Sequence, residues 1–290
     1  MARTGFIGLG NMGFHMALNL IRKGHEVAGY DRDEGQVAAL AQEGAKGCVS
    51  AAEAAKDAEF VITMLPDGPV VEEVMLGAGG TAAAMTPGAL HIDMSTILPT
   101  RSDAIRQALA ARGVTMIDAP VGRTASEART GKLLIIVGSD SEQLERARPL
   151  FECMGDTIVH CGPAGAGIRM KLVNNYMTTV TNLVTAETLT LASSCGIATE
   201  TALEVLRGTA AGRGHINTTY PDKVLKGDLT PGFMIALARK DLMLGLKTAE
   251  DAGVRLTTGA AALHVYDFAV NTEHCGEDWT SILNIVPNLP

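Results

Sequence analysis

The sequence predicts an α/β fold, a Rossmann domain built on a mostly parallel, doubly wound sheet, followed by an all-α C-terminal domain. Three observations carry this expectation. Short apolar runs alternate with segments of helical period through the first half of the chain, the pattern of parallel strands joined by crossover helices. A G-x-G-x-x-G, Gly8-Leu9-Gly10-Asn11-Met12-Gly13, falls between the first apolar run and the first helical segment. Beyond Pro163 and Gly167 the strand pattern stops and only helical segments follow. The boundary is placed between residues 163 and 164, giving domains 1–163 and 164–290.

In order, the expected strands are Gly5–Leu9, Glu26–Tyr30, Phe60–Leu65, Leu90–Met94, Thr115–Ala119 and Leu133–Val137. The first helix is set by Phe14, Ala17, Leu18 and Ile21, spaced i, i+3, i+4, i+7 so that one apolar stripe packs on the sheet, and Gly24 supplies its stop. From Ile168 to Ser194 no turn signal occurs, which predicts one long helix. Asn, Thr and Met stand where a surface helix carries charge, so this helix is expected to be buried between domains or subunits. Further helices are expected at Glu200–Arg207, Phe233–Ala252, Gly259–Thr272 and Asp278–Val286, separated by Gly- or Pro-containing turns.

Composition narrows the function. Of 290 residues, 47% are hydrophobic and 19% charged, a globular ratio that excludes disorder and fibrous repeats. One Trp, four Tyr and six Phe offer few stacking surfaces, and a net charge of −8 without a Lys/Arg-rich run offers nothing to neutralise phosphates. No nucleic-acid partner is expected. Neither a basic segment leading into an apolar one nor a run of about 20 apolar residues is found, so no secretory leader or membrane span is expected. Cys48, Cys153, Cys161, Cys195 and Cys275 are odd in number and lack a C-x-x-C, which reads as reduced structural thiols in a cytoplasmic protein. The histidines show no metal-ligand spacing and no G-x-S-x-G occurs, so neither a metal site nor a serine nucleophile is expected.

The glycine motif is the strongest chemical signal. Gly8 permits a tight turn, Gly10 lets backbone approach a pyrophosphate, Gly13 allows close helix packing, and the helix N-terminus favours the anion. Asp31 ends the next strand, where its carboxylate would accept from ribose hydroxyls. Arg32 beside it is suited to a 2′-phosphate, but Asp31 would repel that phosphate, so NAD (as NADH) is expected over NADP.

Other candidates lie at the carboxyl ends of later strands, where ligands bind in open α/β sheets. They are Leu65 after the third, Thr96 after the fourth, and Gly122-Arg123-Thr124 after the fifth. Thr96 reads equally as a helix N-cap. Gly122 exposes backbone N–H groups, Arg123 offers a planar fork and Thr124 a hydroxyl, a donor surface for an anion; the competing reading is a solvated turn. Lys171, Asn174 and Asn175 fall at i, i+3 and i+4, on one face of an otherwise apolar helix. A desolvated Lys there is a proton donor suited to carbonyl reduction; the competing reading is a surface Lys with a capping Asn.

These residues resemble the β-hydroxyacid dehydrogenase (3-hydroxyisobutyrate dehydrogenase-like) family: Gly5 to Gly13, Asp93-Met94-Ser95-Thr96, Asp118-Ala119-Pro120-Val121, Gly165 to Asn175, and Lys240-Asp241-Leu242. The resemblance covers essentially the whole chain. It implies an NAD-binding Rossmann domain and a helical substrate and oligomerisation domain that makes homodimers or homotetramers. It also implies Lys171 as general acid/base, assisted by Asn175, and contacts to the dinucleotide from Asn11, Met12, Asp31, Leu65, Thr96 and Lys240. Where most members carry Ser-Gly-Gly to hold a carboxylate, this chain has Gly122-Arg123-Thr124. With Gly208 to His215 and Asn174-Asn175-Tyr176-Met177-Thr178, that segment is similar to members that reduce 3-sulfolactaldehyde to 2,3-dihydroxypropane-1-sulfonate in sulfoglycolysis. The resemblance therefore implies a small anionic sulfonate substrate at residues 122–124 and 174–178. Reduction of a carboxylated semialdehyde (succinic, methylmalonic or tartronic) is the competing expectation, and a non-catalytic NAD-binding sensor a third. Lys171 argues against the sensor, and against an imine reductase, which would be expected to replace it.

Overall fold

Nine strands of the computed structural model, which describes Met1–Pro290, pair into one sheet. They are β1 (Arg3–Ile7), β2 (Glu26–Tyr30), β3 (Lys46–Gly47), β4 (Phe60–Thr63), β5 (Leu90–Asp93), β6 (Thr115–Asp118), β7 (Val121–Gly122), β8 (Leu133–Gly138) and β9 (Gly155–Gly162). Their order is β3-β2-β1-β4-β5-β6-β8-β7, with β9 also on β8. All pairs from β3 to β6 are parallel, β8 is antiparallel to β6 and β7, and β9 is parallel to β8. The chain returns to the middle of the sheet after β3, so the direction of winding reverses between β1 and β4.

Helices α1 (Gly13–Arg22), α2 (Glu34–Gln42), α3 (Ala51–Ala55), α4 (Gly68–Leu76), α5 (Thr81–Ala84), α6 (Pro99–Ala110), α7 (Ala125–Arg129) and α8 (Ser141–Met154) make the crossovers and flanks. Successive strand side chains point to opposite faces, and each face has its own core. Phe6 and Ile62 join Leu20, Leu150 and Phe151 in one cluster; Ile7 and Val61 join Met75, Ile105 and Leu109 in the other. Each such buried side chain contributes about 1.5–3 kcal/mol of transfer free energy. Helix starts are fixed by side chains: Asp33, Ser50, Asp67 and Asp140 accept from backbone N–H groups two or three residues on.

Helix α9 (Ala166–Ser194) begins in one compact unit, Met1–Tyr176, and ends in a second, Met177–Pro290. The second unit continues with α10 (Thr199–Gly208), α11 (Ala210–Arg213), α12 (Ile235–Asp251), α13 (Thr257–Val270) and α14 (Ile282–Ile285), without a named strand. Ile235, Ala269 and Ile285 form its buried core with Tyr266, Phe268 and Trp279 packed against them. Asp278, only 2% exposed, ties the C-terminal turns together by accepting from the Gly232, Phe233 and Thr280 amides and the Thr280 hydroxyl.

Several expectations are corrected. Strand β1 stops at Ile7 rather than Leu9, because Gly8 turns the chain with φ +98°. Strands β3 and β7 are two residues long, too short to carry a pattern, and β9 is half-exposed with mixed polar and apolar residues. The expected helix Asp278–Val286 is reduced to α14 between two 3₁₀ turns, since Asp278 caps the first turn and Pro287 lies in the second. On the long helix Val173, Tyr176 and Leu183 are 61%, 73% and 51% exposed within one chain. No helix is long and apolar enough to cross a membrane.

Candidate active site

Each glycine of the turn between β1 and α1 has a separate reason. A Cβ on Gly8 would lie 2.3 Å from the Met64 carbonyl oxygen, and one on Gly13 would lie 1.9 Å from that of Gly8. Both are demanded by the fold. A Cβ on Gly10 would meet no protein atom within 4 Å, so the fold itself does not demand this glycine; its bare backbone faces the cleft and lets a ligand approach closely. Gly8, Gly10, Asn11, Met12 and Gly13 line a cleft of about 770 Å³ with Asp31, Arg32 and Leu65. It opens at the carboxyl ends of β1 and β4, where the winding reverses. The first turn of α1 carries no acidic residue, leaving its N–H groups to an anion, and the cradle fits the pyrophosphate of a dinucleotide.

Asp31 lies just beyond β2 and is bound to the loop it faces. Its carboxylate accepts from the Leu9 amide at 2.6 Å and the Asp33 amide at 2.9 Å, so it shapes the glycine turn as well as lending its charge to the cleft. Leu65 is held from the other side, its N–H donating to Ser95 Oγ at 3.0 Å. Behind Ser95 lies a buried polar chain: Asp93 Oδ1 accepts from the Ser95 amide at 3.1 Å and the Thr63 hydroxyl at 2.9 Å, and His91 Nε2 is 2.9 Å from Thr63 Oγ1. Thr63 gives its only proton to Asp93, so His91 Nε2 carries the proton it donates to Thr63, and Nδ1 is left without a partner. Burial raises the Asp93 carboxyl to about 6 and lowers the His91 imidazole to about 3. Sequence reasoning missed Thr63 and His91; the signal was the alternation of His91 and Asp93 on one face of an apolar strand. Thr96 is exposed and is not a helix cap: α6 begins at Pro99 with Leu98 in the cap position.

Lys171 lies in the second turn of α9, half-buried, and desolvation holds its ammonium below the ordinary lysine range. Asn174 and Asn175 follow on the same face, with Asn174 Nδ2 donating to Asn175 Oδ1 at 3.3 Å. Tyr176 is exposed. Met177 and Thr178 open the second unit and are exposed; Lys240, also there, is ion-paired with Asp241 at 2.9 Å.

The donors expected to form an anion surface at residues 122–124 have partners within the chain. Arg123 Nη1 donates to Asp156 Oδ1 at 2.6 Å and to the Lys132 carbonyl, and Nη2 to Thr157 Oγ1 at 3.2 Å. Thr124 caps α7, its hydroxyl donating to Glu127 at 2.6 Å. Asp156, at the start of β9, is the carboxylate within reach of this guanidinium. Gly122, in β7, is buried. Arg123 also has φ +73°, in the left-handed region where glycine is at ease and a side chain costs about 1–2 kcal/mol.

Residues 3–162 match the NAD binding domain of 6-phosphogluconate dehydrogenase, and residues 165–286 match the NAD-binding domain of NADP-dependent 3-hydroxyisobutyrate dehydrogenase. The chain is 44% identical over 286 residues to the 3-sulfolactaldehyde reductase of Escherichia coli (strain K12), covering 99% of this chain and 96% of that one. This chain belongs to the β-hydroxyacid dehydrogenase family. As a member it is an NAD-dependent oxidoreductase of the hydroxyacid dehydrogenase/reductase type. The solved structure of Mycobacterium tuberculosis 3-hydroxyisobutyrate dehydrogenase with L-serine is 33% identical, with a TM-score of 0.70 and 99% of each chain covered. An imine reductase from Myxococcus stipitatus, 15% identical over 99% of each chain, shares the fold with a TM-score of 0.90.

Proposed function

We propose that this β-hydroxyacid dehydrogenase reduces 3-sulfolactaldehyde to 2,3-dihydroxypropane-1-sulfonate with NADH, Lys171 serving as the general acid. The observation that carries the substrate assignment is Arg123 in the left-handed region. A strained side chain at a turn that glycine would occupy without cost calls for a compensating role, and recognition of an anion is the role a guanidinium fills. A sulfonate presents three oxygens where a carboxylate presents two, and Arg123 takes them by exchanging Asp156 for the substrate. The Thr124 hydroxyl adds a bond to the same group only by giving up Glu127, as Arg123 gives up Asp156.

When bound, the nicotinamide supplies the hydride that reaches the aldehyde carbon. The chain supplies the rest. Gly10, Asn11, Met12 and Gly13 cradle the pyrophosphate, Asp31 takes the ribose hydroxyls, and Leu65 and Thr96 border the nicotinamide end. Lys171 gives a proton to the carbonyl oxygen as the C=O bond becomes C–O, so no alkoxide accumulates. Desolvation favours that release by lowering the ammonium pKa. Asn174 and Asn175 orient the reacting oxygen and the lysine.

The alternative is a carboxylated semialdehyde, and one observation favours it: the Arg123 fork already holds a carboxylate, that of Asp156. Steady-state reduction of 3-sulfolactaldehyde and of succinic semialdehyde, both with NADH, separates the two. A higher kcat/KM for sulfolactaldehyde supports the first assignment; parity or the reverse favours the second. The exposed apolar side chains of α9, Val173, Tyr176, Leu183 and Val184, further support a homo-oligomer in which a second copy covers this helix. Light scattering that gives a monomer mass at micromolar concentration would contradict it.

A further inference from the structure

Asp118 has no place in the chemistry above, yet it is among the most buried charges of the fold, 3% exposed at the end of β6. Its carboxylate reaches across the sequence to the start of α9. Oδ1 accepts from the Gly165 amide at 2.5 Å and Oδ2 from the Ile168 amide at 2.7 Å. Two glycines make room for it. A Cβ on Gly138 of β8 would fall 2.7 Å from both carboxylate oxygens, and one on Gly167 would fall 2.4 Å from the Ile136 carbonyl oxygen and 2.9 Å from Oδ2. The helix start is thus seated on β8 with a carboxylate between. On the outer side Arg169 closes the same turn, donating to the Gly165 carbonyl at 2.9 Å and to Asp103 Oδ2 at 2.6 Å.

We propose that Asp118 is a positioning residue for Lys171. It fixes the first turn of α9 against the carboxyl end of β6, and so sets where the ammonium one turn further on meets the reacting oxygen. The inference rests on the assignment of Lys171 as general acid. An acceptor-only group is required, since both of its partners are backbone donors and the helix N-terminus favours negative charge. Asparagine preserves the volume but can accept from only one of the two amides, its NH₂ being turned toward the other. Placement matters here because a misplacement of about 1 Å at a reacting group lowers the rate on the order of 100-fold.

The test is Asp118→Asn beside Lys171→Ala, with kcat, the Kd for NADH and the solvent isotope effect on kcat measured for each. Asp118→Asn is expected to lower kcat about tenfold or more, to leave the NADH Kd within about twofold, and to raise the solvent isotope effect as proton delivery becomes limiting. A merely structural role would lower Tm and leave kcat per folded molecule and the isotope effect unchanged, which overturns the proposal. Should Asp118→Asn not fold, Arg169→Met loosens the same turn from the solvent side and is expected to lower kcat without changing the NADH Kd; an unchanged kcat overturns it. Substantial turnover in Lys171→Ala would instead show that the lysine assignment has failed.

Discussion

At the scale of single residues, the chemistry depends on a few groups whose surroundings alter their ordinary behaviour. Lys171 is the clearest case. General acid catalysis contributes on the order of 10²- to 10⁴-fold, so Lys171→Ala should lose that much of kcat while still binding NADH, as followed by nicotinamide fluorescence. Retention of more than about a tenth of kcat would show that another group or water donates the proton. Asp31 makes the second residue-scale prediction: kcat/KM should be higher with NADH than with NADPH, and Asp31→Ser should narrow the gap by freeing Arg32 to meet a phosphate. Equal rates with both cofactors in the unmodified protein would contradict that. The substitution also removes the acceptor of the Leu9 amide, so some loss with both cofactors is expected as well.

At the scale of elements, the glycine turn, the first helix and the face bearing Lys171 were legible in the sequence. Each rests on local spacing: G-x-G-x-x-G between strand and helix, or Lys171, Asn174 and Asn175 on one helical face. What was not legible depends on residues far apart in the chain. Nothing around Asp118 shows that it reaches Gly165 and Ile168, and nothing around Arg123 shows that Asp156 lies within reach. Strands of two residues carry no periodicity, so β3 and β7 escaped for a different reason. The buried chain behind β5 yields a pH prediction. His91 is lowered to about 3, so the stability of its neutral form is fully present above about 6.5 and is lost as pH falls. Asp93, raised to about 6, runs the other way, its contribution being lost as pH rises from about 4 to 6. His91→Gln keeps the donor to Thr63 and removes the titration. Between pH 6.5 and 4.5 the unmodified protein should therefore lose about 2 kcal/mol more stability than the variant, measured by urea unfolding. Parallel pH profiles would show that His91 is not held neutral.

At the scale of the whole molecule, composition and periodicity sufficed to expect an α/β part followed by an all-α part, because a parallel sheet needs crossover helices and the later sequence has no strand pattern. The family assignment follows from both halves of the chain. In the proposed function the choice of substrate within the family turns on one segment. Replacing Arg123 with glycine relieves the left-handed strain at φ +73° and removes the guanidinium, with the loss of an exposed ion pair worth about 0–1 kcal/mol and of exposed hydrogen bonds to the Lys132 carbonyl and Thr157. These effects oppose one another, so the fold should stay within about 1 kcal/mol of its present stability, and a larger change in rate can be read as a change in recognition. The deciding measurement is kcat/KM for 3-sulfolactaldehyde and for succinic semialdehyde in the unmodified enzyme and in Arg123→Gly. Losing one charge-assisted contact costs about 1.5–3 kcal/mol, so the sulfolactaldehyde value should fall roughly 10- to 150-fold and the semialdehyde value much less. An unchanged sulfolactaldehyde rate, or equal damage to both substrates, would contradict the assignment of Arg123 as the residue that selects a sulfonate.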